Sequence, residues 1–196
     1  MRDCGFDRNN KVQDFERLPK GAYILKILAV KYEEGENSNS DKLRLQVDVA
    51  EGDYKDFYKK QYEADTREDK KWRGVFEIWC PKNDGTEKDS WTKKTFDTCL
   101  AAVEDSNPGF RFDGVHEETL KGKLVGGIVY REDYEKDGKV YEYYKFNRRL
   151  IDIQKIKDGT VKFPKDKILE QPKEGSSVAV GGFSDAPTGD SADLPF

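Results

Sequence analysis

Asp137-Gly138 stands between two long stretches rich in β-branched and aromatic residues, and this dipeptide narrows the fold more than any other feature of the chain. Asp-Gly favours the centre of a two-residue type I′ turn, where both positions need a positive φ. With those two residues as the loop, Lys123–Tyr134 and Lys139–Ile153 become antiparallel partners in a fixed register. Val129 then faces Phe146, and Val125 faces Leu150, on an apolar side. On the other side Tyr130 pairs with Lys145, Glu132 with Tyr143, Tyr134 with Tyr141, and Gly126 with Arg149. That second side carries rings, Lys and Arg.

Three strands are expected upstream. Ala22–Val30 is an apolar, β-rich run suited to a strand buried on both faces. Lys42–Val49 alternates cleanly, with Leu43, Leu45, Val47 and Val49 on one side and Lys42, Arg44, Gln46 and Asp48 on the other. Phe57–Tyr62 reads as a third strand, with Tyr58, Lys60 and Tyr62 sharing a face. Residues 63–87 read as loop or short irregular structure. A helix is expected over Ser90–Asp105, capped by Asp89 or Ser90. Trp91, Phe96, Cys99, Leu100 and Val103 lie near one face, and Asn107-Pro108-Gly109 stops it.

Three strands, a helix and two strands is the element order of an OB-fold. This is a mainly β, five-stranded Greek-key barrel with a helix between strands three and four. Such barrels commonly bind oligonucleotides on the strand 2–3 face and in the loops joining strands 1–2 and 4–5. Here those loops are Glu33–Asp41 and Asp133–Lys139.

Charge must be located as well as summed. The formal net charge of −4 looks wrong for a polyanion binder. Yet residues 172–196 hold Glu174, Asp185, Asp190 and Asp193 against Lys173 alone, a balance of −3 that leaves −1 on the body. A near-neutral body can carry a basic groove if its acids lie elsewhere. The same 172–196 stretch is dominated by Gly, Ser, Ala and Pro, so it reads as a flexible acidic tail after a domain spanning 1–171.

Several functions lose support from residue types. Cys4, Cys80 and Cys99 have no Cys-x-x-Cys spacing and read as reduced thiols in a cytoplasm. His116 is the lone histidine, so neither a zinc site nor a Ser/His/Asp grouping is credible. Gly126-Gly127 sits inside a strand and reads as a barrel bend rather than a phosphate loop. No apolar run is long enough for a signal peptide or membrane span. The expectation is a non-enzymatic protein with no cofactor and no metal. Self-association into a homo-oligomer is left open.

Binding single-stranded DNA needs flat rings for the bases and cations along the phosphates, and stacking is worth about 1–3 kcal/mol per base. Three clusters offer both. The first is Arg44 with Tyr58, Lys60 and Tyr62. The second is Lys70-Lys71-Trp72-Arg73. The third is Tyr130, Tyr141, Tyr143, Lys145 and Arg149. Each has a plainer reading: outward Tyr residues suit strands, and Trp72 could anchor a loop to the core.

The chain resembles phage-encoded single-stranded DNA-binding proteins of the OB-fold type, from phages and prophages of Gram-positive bacteria. The likeness rests on Leu18-Pro19-Lys20-Gly21-Ala22-Tyr23, Asp48-Val49-Ala50-Glu51-Gly52 and Trp72-Arg73-Gly74. It continues in Ser106-Asn107-Pro108-Gly109 and Leu120-Lys121-Gly122-Lys123-Leu124-Val125-Gly126. The ending Asp193-Leu194-Pro195-Phe196 matches the acidic tails of the wider class. The resemblance implies a protein of the bacterial host cytoplasm that coats unwound DNA in phage replication and recombination. It implies a tail in which Asp190, Asp193, Leu194, Pro195 and Phe196 recruit a polymerase, helicase or recombinase. A terminal Phe would fill an apolar pocket while its carboxylate and the Asp side chains met basic residues at the rim. Two other readings are a protein-interaction module of that machinery without DNA contact, and a metal-dependent nuclease.

Overall fold

The computed structural model describes residues 2, 4, 5, 15–35 and 40–170. The expected partner-binding residues Asp190, Asp193, Leu194, Pro195 and Phe196 lie outside them, as does the rest of 172–196.

β1 (Gly21–Glu33) carries Leu25 and Ile27, both fully buried. It pairs antiparallel with β2 (Lys42–Val49). Ile27 opposes Val47 while Ala29 opposes Gln46, so one extra residue bulges out of β1 and bends it. β2 keeps the alternation seen in its sequence, with Leu43, Leu45, Val47 and Val49 all inside. Its exception is Asp48, a buried carboxylate.

Asp48 explains why the expected third strand is a helix. Residues 57–62 fall within α1 (Phe57–Ala64). The Asp48 carboxylate accepts from the Tyr58 N–H at 2.9 Å and the Lys59 N–H at 3.0 Å, in the first turn of α1. Asp56, at the helix's own cap position, contributes no side-chain hydrogen bond. The cap is therefore supplied from β2, and it satisfies donors that α1 cannot satisfy itself. Edge-to-face contacts of Phe57 with Tyr54 and Tyr58 seat the helix.

The third strand lies instead in the stretch expected to be irregular. β3 (Val75–Trp79) turns Phe76 and Ile78 inward and pairs with β2. Helix α2 (Glu87–Ser106) follows, buries Cys99, Leu100, Ala102 and Val103, and is capped by Thr86, one turn earlier than expected. The Thr86 hydroxyl accepts from the Asp89 N–H at 3.1 Å. Trp91 is 60% exposed, not part of the buried face. Five residues separate it from Phe96, which turns it about 140° around the helix.

β4 (Leu124–Arg131) pairs with β1 on one side and β7 (Tyr144–Phe146) on the other. The Asp137-Gly138 register holds: Val129 opposes Phe146, Tyr130 opposes Lys145 and Tyr134 opposes Tyr141. Both turn residues have positive φ, 52° and 70°. The hairpin is not continuous, however. Its tip is a separate ladder of β5 (Tyr134–Lys136) and β6 (Lys139–Tyr141). At the base the expected Val125–Leu150 and Gly126–Arg149 pairs are displaced. Gly126 exchanges both backbone hydrogen bonds with Ile151, at 2.8 and 2.9 Å, while the Asn147 N–H still donates to the Ile128 carbonyl. Arg148, Arg149 and Leu150 therefore span one position of β4. Leu150 drops into the core and the two arginines are thrown outward. A Cβ at Gly126 would lie 2.7 Å from the Ile151 side chain, so glycine is what permits this approach.

The five-stranded order is β3-β2-β1-β4-β7. β3 and β7 end the series without a shared ladder, and the rings of Phe76 and Phe146 meet between them at 6.1 Å. The result is a nearly closed antiparallel barrel of OB type, with α2 between the third and fourth barrel strands. Among the described residues, no helix is long and apolar enough to cross a membrane.

Candidate functional site

The open seam between β3 and β7 is a groove of about 580 Å³. Its walls come from outward residues of β3, from β7 and the bend after it, and from the lead-in Phe15–Leu18. Leu18 is buried in the core and fixes the end of that lead-in. Upstream of it, the Gln61 side chain donates to the Glu16 carbonyl. The Arg17 guanidinium lies 4.3 Å above the Tyr143 ring, and Arg73 lies 3.6 Å above Phe15.

Trp72-Arg73-Gly74 is built to present Arg73. The Trp72 indole N–H is shared between the Val47 and Gly74 carbonyls, each at 3.1 Å. A Cβ at Gly74 would strike the Val47 carbonyl and approach the Tyr58 ring to 2.5 Å. Only glycine lets the chain pass so close to β2. With Trp72 tied inward and Gly74 pressed down, the residue between them points out, and Arg73 is exposed at the groove.

Charge in the groove favours anions. Arg17, Arg73, Lys145 and Arg148 line it against Glu16 and Glu77. Glu77 is neutralised by Lys42 at 2.8 Å, and Lys145 is held by Glu132 at 2.8 Å. Among the described residues, none of the ion pairs involves Arg17, Arg73 or Arg148. Ring contacts hold two of these guanidinium groups at the groove, Arg17 over Tyr143 and Arg73 over Phe15. Trp79, 47% exposed, and Tyr143 supply rings in the same groove.

The expected clusters are redistributed. Arg73, Tyr143 and Lys145 meet at the seam, and Tyr58 lies beneath as floor. Tyr58 is buried against Phe57 and Phe146, and burial pushes its hydroxyl pKa well up. Its ring has no open face. Arg44 sits on the outer face of β2 beside Glu33 at 3.7 Å. Lys60 reaches back to the Lys55 carbonyl. Tyr62 packs on Trp72 at 5.8 Å under Lys70, so this part of the second cluster serves as an anchor, while Lys71 is exposed outside the groove lining.

The third cluster divides three ways. Tyr141 stacks on Tyr134 at 5.5 Å in the hairpin arm, and Tyr134 meets the edge of Tyr143. Tyr130 donates to Glu132 at 2.6 Å, and burial together with that bond pushes its pKa up to about 12. Lys145 and Tyr130 hold Glu132 down to about 2. Arg149 leaves the groove and lies 4.9 Å above Trp91.

Arg17, Trp79, Tyr144 and Arg148 are groove residues that the reading of the sequence did not pick out. A signal existed for Trp79: Val75-Phe76-Glu77-Ile78-Trp79 is a short run of β-branched and aromatic residues broken only by Glu77, a composition that favours a strand. Among the described residues, no group of three His, Cys, Asp or Glu is placed to hold a metal ion. The arrangement offers planar groups and fixed cations along an open channel. Comparison with curated proteins returns no match. Residues 5–159, which contain every strand and helix described above, match the family described as "Protein of unknown function (DUF669)". The chain belongs to the DUF669 family.

Proposed function

We propose that this chain is a non-enzymatic single-stranded DNA-binding protein whose strand-binding channel is the β3–β7 groove. One observation carries the reading: Arg17, Arg73 and Arg148, which form no salt bridge among the described residues, share an open groove with the rings of Trp79 and Tyr143. Bases have faces of one kind whatever their sequence, so rings and guanidinium planes hold them without reading them. Phosphates take the cations, which makes binding salt-sensitive. The body supplies this channel although the whole chain is acidic, because much of the negative charge lies in residues 172–196. In this role the protein coats and protects DNA unwound during phage replication and recombination. Its tail, with Asp190, Asp193, Leu194, Pro195 and Phe196, recruits a polymerase, helicase or recombinase.

A fluorescence titration with oligo-dT tests the reading. Tight binding at low salt, little dependence on base sequence, and weakening as salt rises are expected. With three or four phosphates neutralised, the log–log salt slope should be about −2 to −3, at about −0.7 per phosphate on a single strand. No binding at low salt overturns the proposal.

A further inference from the structure

We infer that the nucleic-acid track continues out of the groove, over Arg149, onto the indole of Trp91 on α2, which is a further base-stacking platform. This rests on reading the groove as a single-strand site. The junction is the bulge after β7. Arg148 lines the groove, while its neighbour Arg149 turns the other way and lies 4.9 Å above Trp91. Consecutive Cα atoms are about 3.8 Å apart, so the two arginines branch from one point of the chain, one guanidinium serving the channel and the other the helix. The bulge that splays them is held by paired backbone hydrogen bonds between Gly126 and Ile151 and by the buried Leu150.

Trp91 has the features of a platform and few of a structural residue. It is 60% exposed, the most open aromatic ring among the described residues. Arg149 covers one face, as a guanidinium covers a ring that also stacks a base. Its helix neighbours three and four residues away are Glu87, Lys88, Lys94 and Thr95, two cations against one acid. A large, open indole on a helix otherwise buried through Cys99, Leu100, Ala102 and Val103 contributes little to the core. A single strand leaving the groove meets it next.

The test is a length series of oligo-dT, from about 5 to about 20 nucleotides, spanning the site sizes usual for one OB domain. The full chain is compared with its Trp91→Ala, Trp91→Phe and Arg149→Gln variants. Thermal melts confirm that each is folded. The shortest oligomers that bind should bind the native chain and Trp91→Ala alike. On the longest, Trp91→Ala should bind roughly 5- to 150-fold more weakly, the range for losing one stacked base. Trp91→Phe should recover most of that loss, and Arg149→Gln should show a smaller loss confined to long oligomers. Equal affinities of the native chain and Trp91→Ala at every length overturn the inference while leaving the groove reading intact. So does a loss of the same size at every length. Failure of the native chain to bind any oligomer overturns the groove reading itself, and this inference with it.

Discussion

In the proposed strand channel Tyr143 is where stacking and charge meet, so its replacement is the sharpest test of that proposal. Its ring lies beneath the Arg17 guanidinium at 4.3 Å and against the edge of Tyr134 at 5.9 Å. Tyr143→Ala removes a stacking face, worth about 1–3 kcal/mol, or roughly 5- to 150-fold in Kd. It also removes the seat of Arg17, worth about 0.5–1 kcal/mol at an exposed site. Arg17→Ala removes a phosphate partner and the same seat contact. The two losses should therefore be less than additive, with a coupling of about 0.5–1 kcal/mol in a double-mutant cycle. Salt separates the roles. Arg17→Ala should make the log–log salt slope shallower by about 0.7, while Tyr143→Ala leaves it nearly unchanged. Titrations with oligo-dT at four or five salt concentrations measure both. A Kd for Tyr143→Ala within twofold of native, in a variant that melts normally, would refute the assignment of this ring to base stacking.

Asp48→Asn places an amide where two α1 N–H groups need acceptors. It should cost about 1.5–3 kcal/mol and lower Tm by about 3–12 °C; an unchanged melt would mean that α1 is capped by other means. Glu132 has its pKa lowered from 4.5 to about 2, chiefly by Lys145, so its contribution to stability is complete above pH 4.5 and fades as pH falls towards 2. Glu132→Gln should therefore flatten the acid loss of stability across that interval in urea melts, and a pH dependence identical to native would contradict this. Deleting Phe196 should leave the oligo-dT titration superimposable on native. The same deletion should abolish retention of a host polymerase, helicase or recombinase on the protein–DNA complex, and weakened DNA binding would undo that division of labour.

Local chemistry made half of this fold readable. Asp137-Gly138 set the β4–β7 register because a type I′ turn leaves the flanking strands no choice of partners. β2 was legible because one face of it is core and the other is solvent. α1 was missed because what makes it a helix is not in residues 57–62. Its cap comes from Asp48, a neighbour only after folding. The bulge after β7 was missed for a similar reason: the inward place of Leu150 was expected, but nothing between Asn147 and Ile151 announces that three residues span one position of β4. For the site, the ring-and-cation composition of the clusters was legible, but the closing edge of the barrel was not. Arg73, Tyr143 and Lys145 come together because β3 and β7 end the sheet order, and Arg44 and Arg149 are left outside it.

The central strand has one further consequence. β1 pairs with β4 over residues 21–26 and with β2 from residue 25 onward, and backbone hydrogen bonds of Ile24 with Ala50 and of Ile27 with Gly122 and Lys123 extend the overlap, so residues 24–27 have neighbours on both flanks. That short stretch is the splice between halves of the molecule. Fraying from either end of β1 releases one neighbour and stops there, because the other ladder still grips the splice. Deuterium should reach the amides at that splice only when the entire molecule comes apart. One short length of strand thus makes two ribbons one cooperative unit.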